Sequence, residues 1–390
     1  MEIQAAFINH FGASPSIQVR APGRVNLLGE HVDYNDGAVL PAAIDRAVRL
    51  AAAPSTDGMV HLAALDLDQA VSFRLDGLGQ HCGAEGAPLP HWAAYPAGVA
   101  WALGEAGLPV SGMRAVYTSD VPIGAGLSSS AAVEVAFAAA WRALVGWEMD
   151  NLCLAQLCQR AENGYVGVNS GLMDQFASAC GVEGHALYFD TRSLEWHPVA
   201  LPPGSAIVVA DSGMRRTLAT SAYNDRRAAC EQAVACLQQY KPGLRSLRDI
   251  TTVEFAAYSE YLPETVRRRA EHVVKEIHRV AQAVNALRGG DARLFGGLMF
   301  AGHKSLRDLY QVSLPELDAL VEIARGLPGI YGARLTGAGF GGCTVNLIDG
   351  TQAEPFIREL EAGYLKQTGK SARVYLCHAS AGVEVEKMFA

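Results

Sequence analysis

One stretch, Pro122 to Glu134, constrains the fold most, because it joins a glycine turn to a run of three serines. It follows a segment that reads as a strand, Met113 to Thr118, and it leads into an apolar run with helical spacing. Gly124 and Gly126 allow a tight turn and a close approach of the backbone to a ligand. The serines stand where a helix N-cap belongs, and the free N–H groups of the first helical turn favour an anion such as phosphate. An ordinary capped helix after a turn would show the same pattern. Residues 122–130 are called the serine loop below.

Length and composition set the outer limits. A chain of 390 residues is long for one hydrophobic core, so we expect two domains, 1–200 and 201–390, joined by the proline-rich linker Leu201 to Gly204. Half of the residues are hydrophobic and 18% are charged, which is typical of a soluble globular protein. The net charge of −8 disfavours nucleic acid or an anionic membrane as a partner.

The sequence also indicates a compartment. Residues 1–11 lack a basic segment followed by a long apolar one, so we expect no secretory signal. The longest apolar run, Ala131 to Val145, is interrupted by Glu134 and Arg142 and is too short to span a bilayer. The eight cysteines include no Cys-x-x-Cys pair. We therefore expect thiols in a reducing cytoplasm.

A second polar segment, residues 29–37, is called the polar loop below. The pattern predicts a strand at 17–20, a turn at 21–23 and a second short strand at 24–28, and the polar loop follows. Glu30, His31 and Asp33 place three acceptor-capable side chains within four residues. Such a set suits a polyhydroxylated ligand. It would also suit a metal, although no further ligands follow at a recognised spacing. A solvated polar turn is the alternative without a function.

Three more features carry chemistry. Glu162 lies near the end of a predicted helix, Asn151 to Gly164, where the helix dipole disfavours a carboxylate. It therefore indicates a compensating cation, unless it is simply exposed. Asp174 follows a glycine-bearing loop and could act as a base only with a substrate hydroxyl within reach. A second glycine-rich segment, residues 335–343, is called the glycine loop; its glycines would let either a backbone or a phosphate approach closely.

These loops, in this order, resemble those of the GHMP small-molecule kinases. The serine loop is similar to the second motif of that family, Pro-x-Gly-x-Gly-Leu-Ser-Ser-Ser-Ala, and the glycine loop to its third. The stretch Gly23 to Gly37 resembles the narrower galactokinase signature, and Met173 to Phe176 looks like another galactokinase segment. One departure is Val32, where galactokinases commonly carry Thr. The similarity extends over nearly the whole chain.

The resemblance implies an α+β fold of two domains, with helices packed on mixed sheets and the active site in the cleft between the domains. It implies ATP-dependent phosphorylation of the anomeric hydroxyl of galactose. By match of position, the sugar would be held by Glu30, His31, Asp33, Gly171, Asp174 and Tyr223. The triphosphate would be wrapped by Gly124, Ala125, Gly126, Leu127, Ser128, Ser129 and Ser130. Ser130 and Glu162 would hold Mg²⁺, Asp174 would be the general base, and Arg24 would stabilise charge on the transferring phosphoryl group.

Two alternatives stay open at this point. Another sugar-1-kinase of the same family, acting on N-acetylgalactosamine or arabinose, would use the same polar loop. A non-catalytic sugar sensor would lack part of the serine-alanine run, whereas Ser128 to Ala132 is complete here and both Asp174 and Arg24 are present. The sequence therefore favours an enzyme, which we expect to be a monomer.

Overall fold

The computed structural model describes residues 2–215 and 219–388, and the side chains of residues 219–221 lie outside this description. The α-helices in these ranges are α1 (Ile3–Phe11), α2 (His91–Glu105), α3 (Ser129–Val145), α4 (Asn151–Ala161), α5 (Met173–Cys180), α6 (Ala219–Leu237), α7 (Thr252–Tyr258), α8 (Glu264–Arg288), α9 (Ala292–Ser305), α10 (Pro315–Arg325) and α11 (Ala353–Thr368). The strands are β1 (Ile17–Leu28), β2 (Ala38–Pro54), β3 (Met59–Ala64), β4 (Gln69–Arg74), β5 (Met113–Ser119), β6 (His185–Asp190), β7 (Trp196–Ala200), β8 (Ser205–Asp211), β9 (Ile330–Thr336), β10 (Cys343–Asp349), β11 (Arg373–Cys377) and β12 (Glu384–Lys387). None of these described helices is long and apolar enough to cross a membrane.

The strands form two sheets. The larger has the order β12-β1-β2-β5-β3-β4, with β6 beside β2 and β7 beside β6. It is mixed, because β3 and β5 run parallel while its other pairs are antiparallel. The smaller sheet, β11-β8-β10-β9, is antiparallel throughout. The expected α+β class is confirmed.

The predicted domain boundary at residues 200/201 falls in the connection from β7 to β8, where the chain passes from the larger sheet to the smaller one. The division does not follow the sheets throughout, because β12 returns from the C-terminal end to pair with β1. The boundary itself stays a prediction.

Helix α3 packs on the larger sheet against β1 and β2. Six of its seven alanines are buried, as are Phe137 and Trp141. Small side chains let a helix approach a sheet closely, and the first two residues of α3, Ser129 and Ser130, are the last two of the serine loop. Helix α8 contacts β1, β2 and α9, and α9 covers β9.

One predicted break is wrong. The turn expected at residues 21–23 is a register shift within a single strand, β1. Pro22 has no N–H to give to the ladder. At Gly23 a Cβ would lie 2.8 Å from the carbonyl oxygen of Leu127, so only glycine fits. Such bulges bend a strand and redirect the side chains that follow, and Arg24 is the next residue.

The helix expected at Asn151 to Gly164 also ends earlier, and a π-helical turn, Glu162–Val166, follows α4.

A buried ion-pair network lies behind the polar loop. Arg334 of β9 donates to Glu276 Oε1 of α8 at 3.0 Å and to the carbonyl oxygen of Leu27 at 3.2 Å. Glu276 Oε1 also accepts from the backbone N–H of Gly29 at 2.9 Å. Burial acts to raise the pKa of Glu276, but the guanidinium groups of Arg279 and Arg334 outweigh it and hold that pKa at about 2. A charged Glu276 therefore fixes the start of the polar loop.

Replacing Arg334 by Met is expected to lower the free energy of unfolding by roughly 3 kcal/mol, because it removes the guanidinium group that faces the buried carboxylates of Glu276 and Glu30. Equilibrium urea denaturation measures the change. Arg74→Met is the matched control, since the Arg74–Asp76 pair is exposed, and its midpoint is expected to stay within error of the parent. Equal midpoints for both variants would contradict the role given to Arg334.

Candidate active site

A cleft of about 540 Å³ opens where the polar, serine and glycine loops meet. The predicted site residues that line it are Arg24, Glu30, His31, Asp33, Gly124, Gly126, Ser128, Ser129, Ser130, Glu162, Gly171, Asp174 and Tyr223. Two other members of the predicted set, Ala125 and Leu127, have their side chains in the hydrophobic core beneath the serine loop.

The serine loop has the conformation that its glycines indicate. Gly124 and Gly126 adopt φ angles of 69° and 83°, in the left-handed region. Ser128 stands at the N-cap position of α3, but its hydroxyl does not cap the helix. It donates instead to Asp174 Oδ2 at 2.5 Å. The first-turn N–H groups of α3 thus have no cap from this side chain, which suits an anion site.

The glycine loop packs on the serine loop, backbone against backbone. A Cβ on Gly337 would lie 2.8 Å from the carbonyl oxygen of Gly126, and one on Gly342 would lie 2.5 Å from that of Ala125. Both glycines have positive φ, 81° and 84°. Of the two sequence interpretations, the close approach of another backbone is therefore the one that the structure shows.

Asp174, the predicted base, lies in the first turn of α5 and contacts Arg24, the predicted charge stabiliser. Arg24 donates to its two carboxylate oxygens from Nε and Nη2, each at 2.9 Å. The same guanidinium donates from Nη1 to the carbonyl oxygen of Gly126 at 2.6 Å. Because Arg24 is almost fully buried, it ties the orientation of Asp174 to that of the serine loop.

The polar loop turns carboxylates into the same cleft. Glu30 Oε1 accepts from the backbone N–H of Gly337 at 2.7 Å, and burial raises the pKa of Glu30. Burial, with a contribution from the charge of Asp174, raises the pKa of Asp33 to about 7. A Cβ on Gly171 would overlap the carboxylate of Asp33. Glycine at 171 is therefore what lets this loop lie against Asp33.

His31 lines the cleft and also contacts other residues of the protein through its ring. Its Nδ1 is 2.9 Å from the hydroxyl of Tyr34, and its Nε2 is 3.1 Å from the carbonyl oxygen of Ala338. Its ring also packs on the ring of Tyr223, with centroids 5.5 Å apart. Both ring nitrogens are thus engaged by protein groups. His31 links the polar loop to the glycine loop and supports the wall of the cleft.

The two predicted metal ligands lie together. Ser130 Oγ is 3.4 Å from Glu162 Oε1, while Glu162 Oε2 accepts from Gln175 at 2.9 Å and from Ser170. Burial raises the pKa of Glu162, so the site favours a nearby cation. Residues 2–215 and 219–388 contain no group of three or more His, Cys, Asp or Glu placed to hold a metal. Two hard oxygen donors nevertheless fit Mg²⁺, which keeps several waters and often binds substrate phosphates.

Two features of the site were not predicted. Arg215 lines the cleft beside Gly124 and is held by Asp211 through two hydrogen bonds of 2.7 Å. Glu134, which the sequence showed only as an interruption of an apolar run, is fully buried, and burial together with the charge of Glu162 raises its pKa well above the usual range. Its position four residues after Ser130, on the same helix face, was the one available signal.

The comparisons with known proteins agree with this geometry. The galactokinase galactose-binding signature matches residues 5–54, and the GHMP kinase N-terminal and C-terminal domains match residues 94–182 and 282–366. Over 98% of its length the chain is 49% identical to a galactokinase of Roseiflexus sp. (strain RS-1), and 44% identical to the galactokinase of Homo sapiens, covering 96% of each. The chain belongs to the galactokinase family.

Solved structures support the same assignment. A galactokinase of Lactococcus lactis, crystallised with galactose, is 33% identical, with a TM-score of 0.92 over 98% of both chains. A mevalonate kinase that is 18% identical, with a TM-score of 0.62 over 93% of this chain and 98% of its own, shares the fold. The resemblance stated from the motifs is thus confirmed for the family and for the fold class.

Substitution of Asp33 by Asn is expected to stabilise the protein above neutral pH. The raised pKa means that the folded state holds a proton that the unfolded chain releases near pH 4, so stability falls as the pH rises from about 4 to 7. Because the pKa rises from 3.8 to about 7, removing this cost should gain up to roughly 4 kcal/mol at pH 8, and much less at pH 4. Thermal unfolding at both pH values measures it. Asp68→Asn, at an exposed residue outside the cleft, should show no such difference; if it does, the gain does not arise in the cleft.

Proposed function

We propose that this chain transfers the γ-phosphoryl group of ATP to the anomeric hydroxyl of galactose, giving α-D-galactose 1-phosphate and ADP. The observation that carries the proposal is the position of Asp174, which contacts the serine loop through Ser128 and faces Asp33 of the polar loop. A base between a phosphate loop and a set of hydroxyl acceptors suits phosphoryl transfer to a sugar. The galactokinases among the relatives, and the one crystallised with galactose, support the choice of sugar.

The sugar is held from the polar-loop side. Carboxylates accept hydrogen bonds from hydroxyl groups, and Asp33 and Asp174 both offer them to the cleft, with Glu30 and Tyr223 beside them. Gly171 contributes by leaving room for Asp33. His31 acts through packing, because its ring nitrogens contact other residues of the protein.

The transfer itself needs a base, positive charge and fixed positions. Asp174 accepts the proton of the anomeric hydroxyl as that oxygen bonds to the γ-phosphorus, and the bond from the γ-phosphorus to the bridging oxygen of the departing ADP breaks. Arg24 keeps the carboxylate aimed and places a guanidinium near the developing charge on the phosphoryl oxygens. Arg215, at the other side of the serine loop near Gly124, adds a second cation.

Mg²⁺ would be held by Ser130 and Glu162, whose oxygen donors fit it. When bound, it supplies positive charge that neutralises the phosphate oxygens. The uncapped N-terminus of α3 lies in the same place, so the serine loop binds the triphosphate with both its backbone and its hydroxyls.

A coupled assay of ADP release tests the proposal with galactose, glucose, N-acetylgalactosamine and arabinose. Strong turnover of galactose and almost none of glucose is expected, because an epimer that leaves buried polar groups unpaired can lose ~10⁴-fold or more in specificity. Preference for one of the other two sugars would make the chain a different sugar-1-kinase. Galactose binding without ADP release would make it a sensor.

Asp174→Asn is expected to retain galactose binding and to lose turnover by ~10²–10⁴-fold, the usual contribution of a general base. Asparagine keeps an acceptor for Ser128 and Arg24 but takes up no proton. Steady-state ADP release gives turnover, and calorimetric titration with galactose gives binding. Turnover close to the parental value would show that another group removes the proton.

Gly171→Ala is expected to raise the KM for galactose by at least about tenfold, since the added methyl group would push the Asp33 carboxylate out of place. Gly104→Ala is the matched control, because a Cβ there would meet nothing within 4 Å. Both variants are compared in the same assay. An unchanged KM in Gly171→Ala would remove Asp33 from the sugar contacts.

A further inference from the structure

A second, fully buried polar pair lies behind Ser130 and Glu162. Glu134 follows Ser130 by one turn of α3, and Gln175 is the third residue of α5. Both side chains are 0% exposed. The side-chain amide of Gln175 donates from Nε2 to Glu134 Oε2 and to Glu162 Oε2, each at 2.9 Å.

A packing role alone does not account for this pair. Burying a carboxyl group and an amide costs free energy that apolar side chains of similar size would avoid. The helices around them supply apolar neighbours, including Ala131, Val135 and Phe176, all buried. Glu134 and Gln175 are instead connected to the carboxylate of Glu162, Gln175 by a direct hydrogen bond and Glu134 through Gln175.

These bonds decide which oxygen of Glu162 faces the cleft. Oε2 accepts from Gln175 and from Ser170. Oε1 is left on the side of Ser130, at the long distance of 3.4 Å from its hydroxyl. With both N–H groups of the amide used, one on each carboxyl group, Gln175 cannot rotate without losing a bond. The carboxylate is thereby held with Oε1 beside Ser130 Oγ.

We propose that Gln175, itself held by Glu134, is a positioning residue that orients Glu162 for metal binding. The inference rests on the proposed function, which places Mg²⁺ at Ser130 and Glu162. Groups that orient a ligand in this way typically change metal affinity by ~10–100-fold when they are replaced.

The test compares variants that keep or remove the hydrogen bonds. Gln175→Met keeps the length of the side chain and removes both N–H donors, and Glu134→Leu removes the acceptor that holds Gln175. Glu134→Gln keeps an acceptor. Ser178→Ala is the matched control, because Ser178 is equally buried on the same helix and its hydroxyl has no hydrogen-bond partner among the described residues.

Three readouts are taken. They are the Mg²⁺ concentration for half-maximal turnover, Mn²⁺ binding followed by electron paramagnetic resonance with a non-hydrolysable ATP analogue, and galactose binding without nucleotide. Gln175→Met and Glu134→Leu are each expected to raise the Mg²⁺ concentration for half-maximal turnover, and to lower the affinity for Mn²⁺, by about tenfold or more. Glu134→Gln and Ser178→Ala are expected to match the parent. Galactose binding without nucleotide should stay unchanged in all four variants. If Gln175 and Glu134 had a merely structural role, their replacement would also weaken galactose binding.

Three results would overturn the inference. Parental Mn²⁺ binding in Gln175→Met would show that the amide does not orient the ligand, and Gln175→Asn, which shortens its reach, replaces this variant if it fails to fold. Loss of galactose binding together with Mn²⁺ binding would show general damage. Unchanged Mn²⁺ binding in Glu162→Gln would contradict the metal site at Glu162, and the inference would fail with it. If Mn²⁺ binding is weakened in Glu162→Gln but unchanged in Gln175→Met, the metal site stands and only the inference about Gln175 fails.

Discussion

The cleft depends first on the buried ion pair between Arg334 and Glu276. Two charges in an apolar interior cost more than their attraction returns unless further hydrogen bonds satisfy them. Here the further bonds lead to the polar loop, since Glu276 accepts from Gly29 and Arg334 donates to the carbonyl oxygen of Leu27. Gly29 and Glu276 are 247 positions apart in the chain. Helix α8 and strand β9 therefore set the position of a loop that belongs to the other end of the chain.

From this anchor the three loops are connected in series. The polar loop is joined to the glycine loop by Glu30 through the N–H of Gly337. The glycine loop rests on the backbone of the serine loop at Gly126, and Arg24 joins that same residue to Asp174. Sugar-binding and phosphate-binding groups are thus held at one spacing by short backbone contacts, which is the pre-organisation that phosphoryl transfer requires.

Local features of this site could be predicted from the sequence, and long-range ones could not. The serine loop is defined by residues adjacent in the chain, so its glycine turn and the helix after it followed from the pattern. Arg334 and Glu276 each read as one more charge in a strand or on a helix, because periodicity does not say which distant residue they meet. The pattern at Pro22–Gly23 predicts a turn and not the observed bulge for the same reason, because what requires the glycine is the carbonyl of Leu127, about a hundred positions away.

The electrostatics of the cleft explain why its ligands are the ones proposed. Asp33 and Glu162 both have pKa values raised by burial, and for both the charge of Asp174 adds to the effect. Arg24 is committed to Asp174, and Arg215 to Asp211. Negative charge is therefore under-compensated on the sugar side and beside Ser130. Hydroxyl donors of the sugar would offset the excess negative charge on the sugar side, and a divalent cation would offset the excess beside Ser130. Each proposed ligand therefore also removes an unfavourable interaction from the folded protein.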